Sequence, residues 1–450
     1  MRLAISQIAS AVGGHANLPL GENRYIESVS TDSRSIKGGA LFVPIVGDKF
    51  DGHDFIYSAI EKGAACVLTE PGKMPAGFPH IVVSCTRKAL LDLAAYHLEV
   101  ISAKVIGITG SAGKTTLKDM IAGILAKKYR TKKTIGNFNN DIGMPLSVFE
   151  LELSDEVIVL EMGMNHAGEI APLSRAAKPD MAVITNIGDA HIENFKNREG
   201  ILHAKLEIVE GLKKTGCAFF NGDDPLLTGP IAGKKISGLN VYFPKSENVI
   251  ATKPLGLLGT ECHFNWQDSD VRVKVPLPGS HMVTNALLAT AVCLKLGCSP
   301  EDIAAGFKDF QASAGRLNII NAGGMTIIND VYNSSPDALK GSLKILSEQS
   351  GRKVAIIGDM LELGHMAKKR HKEAGVFAAE LGIDVLITSG DLARQLHESF
   401  SAVSKEGAAF HFESKGDFIA KKGDILADGD IVLVKASRGA KFEEITESLI

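Results

Sequence analysis

Three α/β domains in series are what this sequence predicts, and three observations carry the prediction. The chain has 450 residues, room for about three domains at roughly 150 residues each. Short apolar runs that end in polar loops alternate with stretches of helical period, the mark of parallel sheets covered by helices. The texture changes twice, which divides the chain into residues 1–101, 102–313 and 314–450.

In the first segment, apolar runs at residues 40–46, 64–68 and 81–83 read as strands and residues 87–100 as a helix, a small α/β domain. In the second, residues 104–109, 157–160 and 181–185 read as buried parallel strands of a doubly wound sheet. Between residues 237 and 278 short alternating segments such as 271–275 predict an antiparallel edge, and residues 284–296 a helix. A turn at residues 313–315 opens the third segment. Its strand candidates, residues 326–328, 353–357, 384–388 and 430–435, are separated by helical stretches, so a second doubly wound, Rossmann-like domain is expected.

Composition narrows the function classes. Lys plus Arg number 49 and Asp plus Glu 52, a formal net charge of -3, with 22% charged and 45% hydrophobic residues. A near-balanced charge gives no whole-chain reason to bind nucleic acid or an anionic membrane. No stretch approaches the ~18 apolar residues of a membrane span. Arg2, Ser6, Gln7 and Ser10 interrupt the first apolar run, so a secretory signal is not expected. The six cysteines show no Cys-x-x-Cys pair and no histidine at zinc spacing, which predicts reduced, mostly buried thiols and a cytoplasmic chain. With a single Trp there is no sign of an extensive aromatic interface, and a monomer is expected.

The strongest local signal is Gly110-Ser111-Ala112-Gly113-Lys114-Thr115-Thr116, which follows the predicted strand 104–109. Leu117, Met120, Ile121, Ile124 and Leu125 then recur on one face of a helix. Strand, glycine loop and helix N-terminus together make a phosphate cradle. The glycines let backbone N–H groups turn toward phosphates, Lys114 reaches the β and γ phosphates, and the Thr115 hydroxyl suits Mg²⁺. The middle segment is therefore read as a P-loop mononucleotide-binding domain. In one respect the loop departs from the strict pattern: Ile108 stands where a further glycine is usual.

Weaker candidates follow. Glu161 is the first polar residue after the strand 157–160, where such folds hold a metal, although many strands end in an acid that meets water. His191 lies in the polar loop after the strand 181–185, and a loop histidine is more often solvated than metal-bound. Lys205 falls in register with Ile201, Ile208 and Leu212 of a helix expected over residues 199–212. Snorkelling explains such a lysine; desolvation to a neutral amine able to take up CO₂ is the sharper alternative. Asn137, Asn139 and Asn140 sit in an amide-rich loop that reads polar ligand groups or caps turns. Arg316, at the start of the third segment, is a surface arginine or a guanidinium that swings onto phosphate when domains close about a hinge near residues 313–316. Asp330-Val331-Tyr332-Asn333-Ser334-Ser335-Pro336 suits a ligand loop or an ordinary helix cap.

Taken together, these residues resemble the Mur ligases of bacterial cell-wall synthesis. The resemblance also rests on Ser30-Thr31-Asp32-Ser33-Arg34 and Phe50-Asp51-Gly52-His53-Asp54-Phe55 in the first segment, Gly136 to Gly143 in the second, and Gly358-Asp359-Met360-Leu361-Glu362-Leu363-Gly364 in the third. It implies an ATP-dependent amide-bond ligase that works through an acyl phosphate. The last segment points to the step that adds D-alanyl-D-alanine to UDP-N-acetylmuramoyl-tripeptide. The same resemblance implies that ATP meets Gly110, Ser111, Ala112, Gly113, Lys114, Thr115, Thr116, Asn285, Arg316 and Asp330. It implies two Mg²⁺ ions served by Thr115, Glu161, His191 and Lys205, the last as a carbamylated lysine, and a catalytic set of Lys114, Lys205, His191 and Arg316. Ser33, Arg34, Asp51, Gly52, His53, Asn137, Asn139 and Asn333 fall to the substrates. His281-Met282 stands where the family commonly has His-Asn, and Ala436 where Gly is usual. Two rival readings remain beside this one: a sibling ligase that adds a single amino acid, and a regulatory protein that binds ATP without ligation. The second is disfavoured because a binding module has no need of two metal positions.

Overall fold

A computed structural model describes residues 2–18, 24–47, 49–73 and 75–450. The chain falls into two compact units, Met1–Thr109 with Tyr129–Val183 and Leu206–Ala218, and Gly110–Lys128 with Ile184–Lys205 and Phe219–Ile450.

In the first unit, a five-stranded sheet has the order His15–Asn17, His80–Val82, Ala64–Thr69, Ala40–Phe42, Ser28–Ser30, parallel except for its first pair. Phe42, Val67 and Ala64 pack with Ile56 and Ala59 of the neighbouring helix into a small core. The expected strand 40–46 ends at Phe42, because the chain turns back on itself: Gly47 N–H donates to the Phe50 carbonyl and Gly52 N–H to that of Ile45. Helix Thr86–Ile101 is fastened by side chains, with Arg87 paired to Asp141, Glu99 to Lys178, and His97 Nε2 3.1 Å from the Leu151 carbonyl. Strands Thr131–Lys133, Val157–Glu161 and Lys104–Thr109 run parallel, with Val157 opposite both Lys104 and Thr131. They are neighbours in a six-stranded sheet, and Met181–Ile184 lies next in order beside Lys104–Thr109. Ile108 is fully buried within that strand, so the residue where a glycine is usual belongs to the sheet and not to the loop.

The helix expected over residues 199–212 is shorter. It runs Arg198–Lys205 and continues as a 3₁₀ turn, Leu206–Gly211. Side-chain anchoring of that turn accounts for its tighter winding. The Glu207 carboxylate accepts from the N–H groups of Gly168, Ile170 and Ala171, Ser174 donates to the Ile208 carbonyl, and Gly211 N–H donates to the Ser174 hydroxyl.

In the second unit, helix Lys114–Leu125 packs on Ser280–Lys295 and Pro300–Lys308, and Gly306 comes so close to Ile124 that a β-carbon would sit 2.5 Å from its Cα. The alternating stretch expected as an edge is a separate antiparallel sheet of Val249–Pro254, Thr260–Trp266 and Ser269–Val275, whose inward residues alternate with exposed ones. The C-terminal sheet has the order Asn318–Ala322, Met325–Asn329, Ile431–Lys435, Lys353–Gly358, Val385–Ser389, Ala408–Phe412. Its first pair is an antiparallel hairpin and the rest are parallel. Strand order reverses beside Ile431–Lys435, and the loops after the three strands that meet there carry Asp330, Asn333, Arg438 and the Asp359 to Glu362 run. Open α/β sheets bind ligands at that carboxyl edge. Among the described residues no helix is long and apolar enough to cross a membrane.

Two buried histidines, His97 and His371, make acid a destabilising condition. His371 is fully buried; its Nδ1 lies 2.7 Å from the Ala367 carbonyl and its Nε2 accepts from Met360 N–H at 2.9 Å, so the ring is built in as the neutral form. Burial pushes its pKa below the usual histidine value, against weaker upward pulls from Ala367 and Asp359. His97 is pushed down mainly by burial as well. Protons therefore bind the unfolded chain more tightly. The stabilisation is complete above about pH 6.5 and falls as pH drops below it, by at most ~1.4 kcal/mol per pH unit per histidine. The urea midpoint is expected to fall between about pH 6.5 and 5.5, and His371→Gln to lose its own share of that slope. An identical slope in the variant would contradict this.

Candidate active site

The phosphate loop is shaped by contacts that leave no room for side chains at its glycines. Gly110 has φ +150°, and a β-carbon there would lie 1.8 Å from Thr185 Oγ1; Gly113 has φ +79°, and one there would lie 2.7 Å from Asn285 Nδ2. Thr185 donates to the Ala112 carbonyl at 2.6 Å, Asn186 Oδ1 accepts from Ala112 N–H at 2.9 Å, and Ser111 bonds both the carbonyl and the N–H of Gly188. Helix Lys114–Leu125 starts at Gly113 with its first N–H groups toward the loop, and Lys114 Nζ folds back 2.8 Å from the Gly110 carbonyl. Thr115 and Thr116 are buried at the helix start. Such a nest of N–H groups with a lysine fits a nucleotide's phosphates.

That fit yields a prediction. Gly113→Ala forces a β-branch-free but L-configured residue into the left-handed region, at about 1–2 kcal/mol, and pushes Asn285 aside. Nucleotide affinity should fall about tenfold or more. A titration with a fluorescent ATP analogue reads it; unchanged affinity would refute the cradle.

Lys205 is 2% exposed. Burial drives its pKa well below the usual lysine value, and the like charge of Lys114 pushes it further the same way. Both act against the ammonium form, and the amine lies away from the water that snorkelling requires. His191 takes a left-handed backbone, φ 60°, and its Nδ1 lies 2.8 Å from Glu362 Oε2. The same loop is tied down by Asp189, which is buried between Arg198 and Arg370. Burial alone would raise the Asp189 pKa, but the Arg198 hydrogen bond and the charges of both arginines more than reverse it. Arg198 also meets Asp337 at 3.3 Å.

Arg316 stacks its guanidinium 3.8 Å from the ring centre of Tyr332, while Arg438 lies 5.2 Å from the same ring. Its Nε is buried without a hydrogen-bond partner among the described residues, a donor available to an anion. Asp330 is held by Lys435 Nζ at 2.5 Å and by the Ser342 hydroxyl at 2.7 Å, both buried side chains. Lys435 donates as well to the Asn333 carbonyl, and Asn333 Oδ1 accepts from the Ser334 N–H. Ser313 donates to Asp119 at 2.6 Å, and the positive φ of Gly315 and Leu317 turns the chain there.

In the first unit, Glu161 is 2% exposed and accepts from Asn139 Nδ2 at 2.9 Å, while Asn140 caps the helix Gly143–Val148 and Asn137 is exposed. Asp51 caps the turn Gly52–Phe55, lies 2.6 Å from His53 Nδ1 and pairs with Lys73. The Lys73 and His53 hydrogen bonds hold its pKa far below the usual carboxylate value, against burial. A β-carbon on Gly52 would meet the Ile45 backbone at 2.5 Å. Ser33 is buried; Arg34 is exposed and forks onto Asp32, which that hydrogen bond lowers to about 2. Five of the six cysteines are buried and Cys85 is exposed, all as free thiols.

The structure thus brings Asn285 against the loop glycine Gly113 beside Lys114, and gives several candidates partners that spacing alone does not single out: Glu362 for His191, Tyr332 for Arg316, Lys435 for Asp330 and Asn333, and Asn186 for the phosphate loop, with Asp189 fixing the His191 loop. Lys435 had a signal, a lysine ending an apolar strand. Asp189 and Asn186 had none beyond lying in a polar loop.

The chain matches three family profiles: Mur ligase family, catalytic domain, over residues 25–114; Mur ligase middle domain over residues 108–293; and Mur ligase, glutamate ligase domain, over residues 315–438. It is 38% identical to the UDP-N-acetylmuramoyl-tripeptide--D-alanyl-D-alanine ligase of Bacillus subtilis, covering 100% of this chain and 99% of that one. MurF from Acinetobacter baumannii superimposes with a TM-score of 0.92 at 30% identity, covering 100% and 99% of the two chains. The MurF ligase of Thermotoga maritima in complex with ADP gives 0.83 at 30% identity over 94% and 96%. Matched by family profiles over most of its length and 38% identical to a curated ligase over the whole chain, the protein belongs to the Mur ligase family.

Proposed function

We propose that this chain joins D-alanyl-D-alanine to the terminal carboxylate of UDP-N-acetylmuramoyl-tripeptide at the expense of ATP, a cytoplasmic step of peptidoglycan precursor synthesis. The observation that carries this is likeness over the whole chain, at 38% identity, to a ligase bearing that name. A sibling adding one amino acid or a silent ATP binder is less well supported.

A carboxylate does not react directly with an amine, because oxide is a poor leaving group. Its oxygen therefore attacks the γ-phosphorus of ATP, ADP leaves, and an acyl phosphate forms. The dipeptide amine then attacks the carbonyl carbon, the C–O bond to phosphate breaks, and the amine proton is lost. Lys114 and Arg316 neutralise charge on the γ-phosphoryl group, which is most of what catalysis of phosphoryl transfer requires. Asn285 and Asp330 are assigned to the nucleoside end, and the loop Gly110 to Thr116 to the phosphates. Ser33, Arg34, Asp51, Gly52, His53, Asn137, Asn139 and Asn333 are assigned to the two peptide substrates.

Mg²⁺ fits the donor types present: the Thr115 hydroxyl, the Glu161 carboxylate and the His191 imidazole, with Lys205 as a carbamate formed from neutral amine and CO₂ with loss of a proton. Bound there, Mg²⁺ would polarise phosphoryl oxygens. Closure about residues 313–316 would exclude water from the acyl phosphate.

The test is phosphate release from ATP with the UDP-tripeptide, with D-alanyl-D-alanine, and with both, followed by product mass. Release that needs both, with the dipeptide added, is expected. Turnover with a single amino acid in place of the dipeptide, or none at all while ATP binds, would refute the assignment.

A further inference from the structure

The third-domain run Asp359 to Gly364 meets the His191 loop through one side chain. His191 Nδ1 lies 2.8 Å from Glu362 Oε2, an ion-pair contact whose angle falls outside hydrogen-bond geometry, and the ring is only 20% exposed. Both residues adopt the left-handed backbone, φ 60° and 62°, which costs a non-glycine residue about 1–2 kcal/mol and persists only where surroundings dictate it. The surroundings here are specific. Glu193 N–H donates to the Glu362 carbonyl, and a β-carbon on Gly364, φ +50°, would lie 2.8 Å from Glu193 Cβ. The run itself is rigidly held: Asp359 Oδ1 accepts from Ala393 N–H, Met360 N–H donates to His371, and Leu361 N–H donates to Ser437 Oγ.

We propose that Glu362 is a positioning residue that fixes the tautomer and orientation of His191. A carboxylate oxygen 2.8 Å away repels a lone pair on Nδ1, so that nitrogen carries the proton, and in the one-proton form of the ring the lone pair falls to Nε2. An imidazole offers that lone pair to a metal, and a carboxylate behind the ring is the usual means of aiming it. Because Glu362 belongs to the third domain, the histidine takes its ligating form only when that domain is docked as it is here. The metal consequence rests on the reading of His191 as a Mg²⁺ ligand; the tautomer does not.

The experiment uses the full-length chain, free of metal, with ¹⁵N-labelled imidazoles at one fixed pH of about 8, well above the usual histidine pKa. His191→Gln assigns the His191 signals. Wild type is expected to show the Nδ1–H tautomer. Glu362→Ala should shift His191 largely to Nε2–H, while Glu362→Gln, which keeps an accepting oxygen, should retain Nδ1–H; unchanged signals from the other histidines report that the fold is intact. In steady state, Glu362→Ala should raise the Mg²⁺ concentration for half-maximal rate about tenfold, with kcat at saturating Mg²⁺ lowered far less. A wild-type tautomer in Glu362→Ala overturns the proposal. A shifted tautomer supports it, and if the Mg²⁺ requirement is then unmoved, what fails is the metal role of His191 and not the positioning by Glu362.

Discussion

Lys205→Ala is expected to lose ligation by about 10²-fold or more, and millimolar formate or acetate to restore part of it. This amine is buried where its charge is disfavoured, and a 3₁₀ turn that Glu207, Ser174 and Gly211 anchor follows it. Alanine leaves a cavity about the size of a small carboxylate, so an added acid can stand where the oxygens of the proposed carbamate would stand. Lys205→Met fills that cavity and should not be rescued. Wild-type protein in ¹³C-bicarbonate should show a carbamate resonance that both variants lack. A fully active Lys205→Ala, or one that acid does not restore while the ¹³C signal persists, would end the carbamate assignment.

Lys114→Met should reduce phosphate transfer by about 10³-fold with ATP binding weakened much less, because charge at the γ-phosphate matters most in the transition state. Methionine preserves the aliphatic stem and is a good helix former, so helix Lys114–Leu125 should remain intact. Rapid-quench measurement of ADP formation separates this from slow product release. Comparable loss in binding and turnover would instead mean that Lys114 anchors the nucleotide without acting on the reacting group.

Much of the fold was legible because its signals are local. The apolar run 104–109 coincides with its strand to the residue, since an apolar run ending in a glycine loop has few other ways to fold. The four strands read in the third segment are all present within a residue or two, as Met325–Asn329, Lys353–Gly358, Val385–Ser389 and Ile431–Lys435. Asn318–Ala322 and Ala408–Phe412 leave little trace in the sequence because they are edge strands with half-exposed, weakly alternating residues. The helix over Lys205 ends earlier than its hydrophobic period suggests, because the contacts that tighten its end come from helix Ile170–Ala177, far away in sequence.

The site divides in the same manner. Gly110, Gly113 and Lys114 announce themselves by spacing. Glu161, His191 and Lys205 carry only a position on an element, and family resemblance was needed to rank them above solvated or snorkelling side chains. Partners such as Glu362 for His191, or Lys435 for Asp330, arise from pairing across long loops, and no local pattern encodes which acid meets which base.

The most direct test of the central chemistry follows one oxygen atom. UDP-N-acetylmuramoyl-tripeptide labelled with ¹⁸O in its terminal carboxylate, supplied with ATP, Mg²⁺ and D-alanyl-D-alanine, should yield inorganic phosphate carrying one ¹⁸O for each amide formed. Phosphate whose new oxygen comes from water, in a reaction that still makes the amide, would contradict an acyl phosphate and with it the roles given to Lys114 and Arg316.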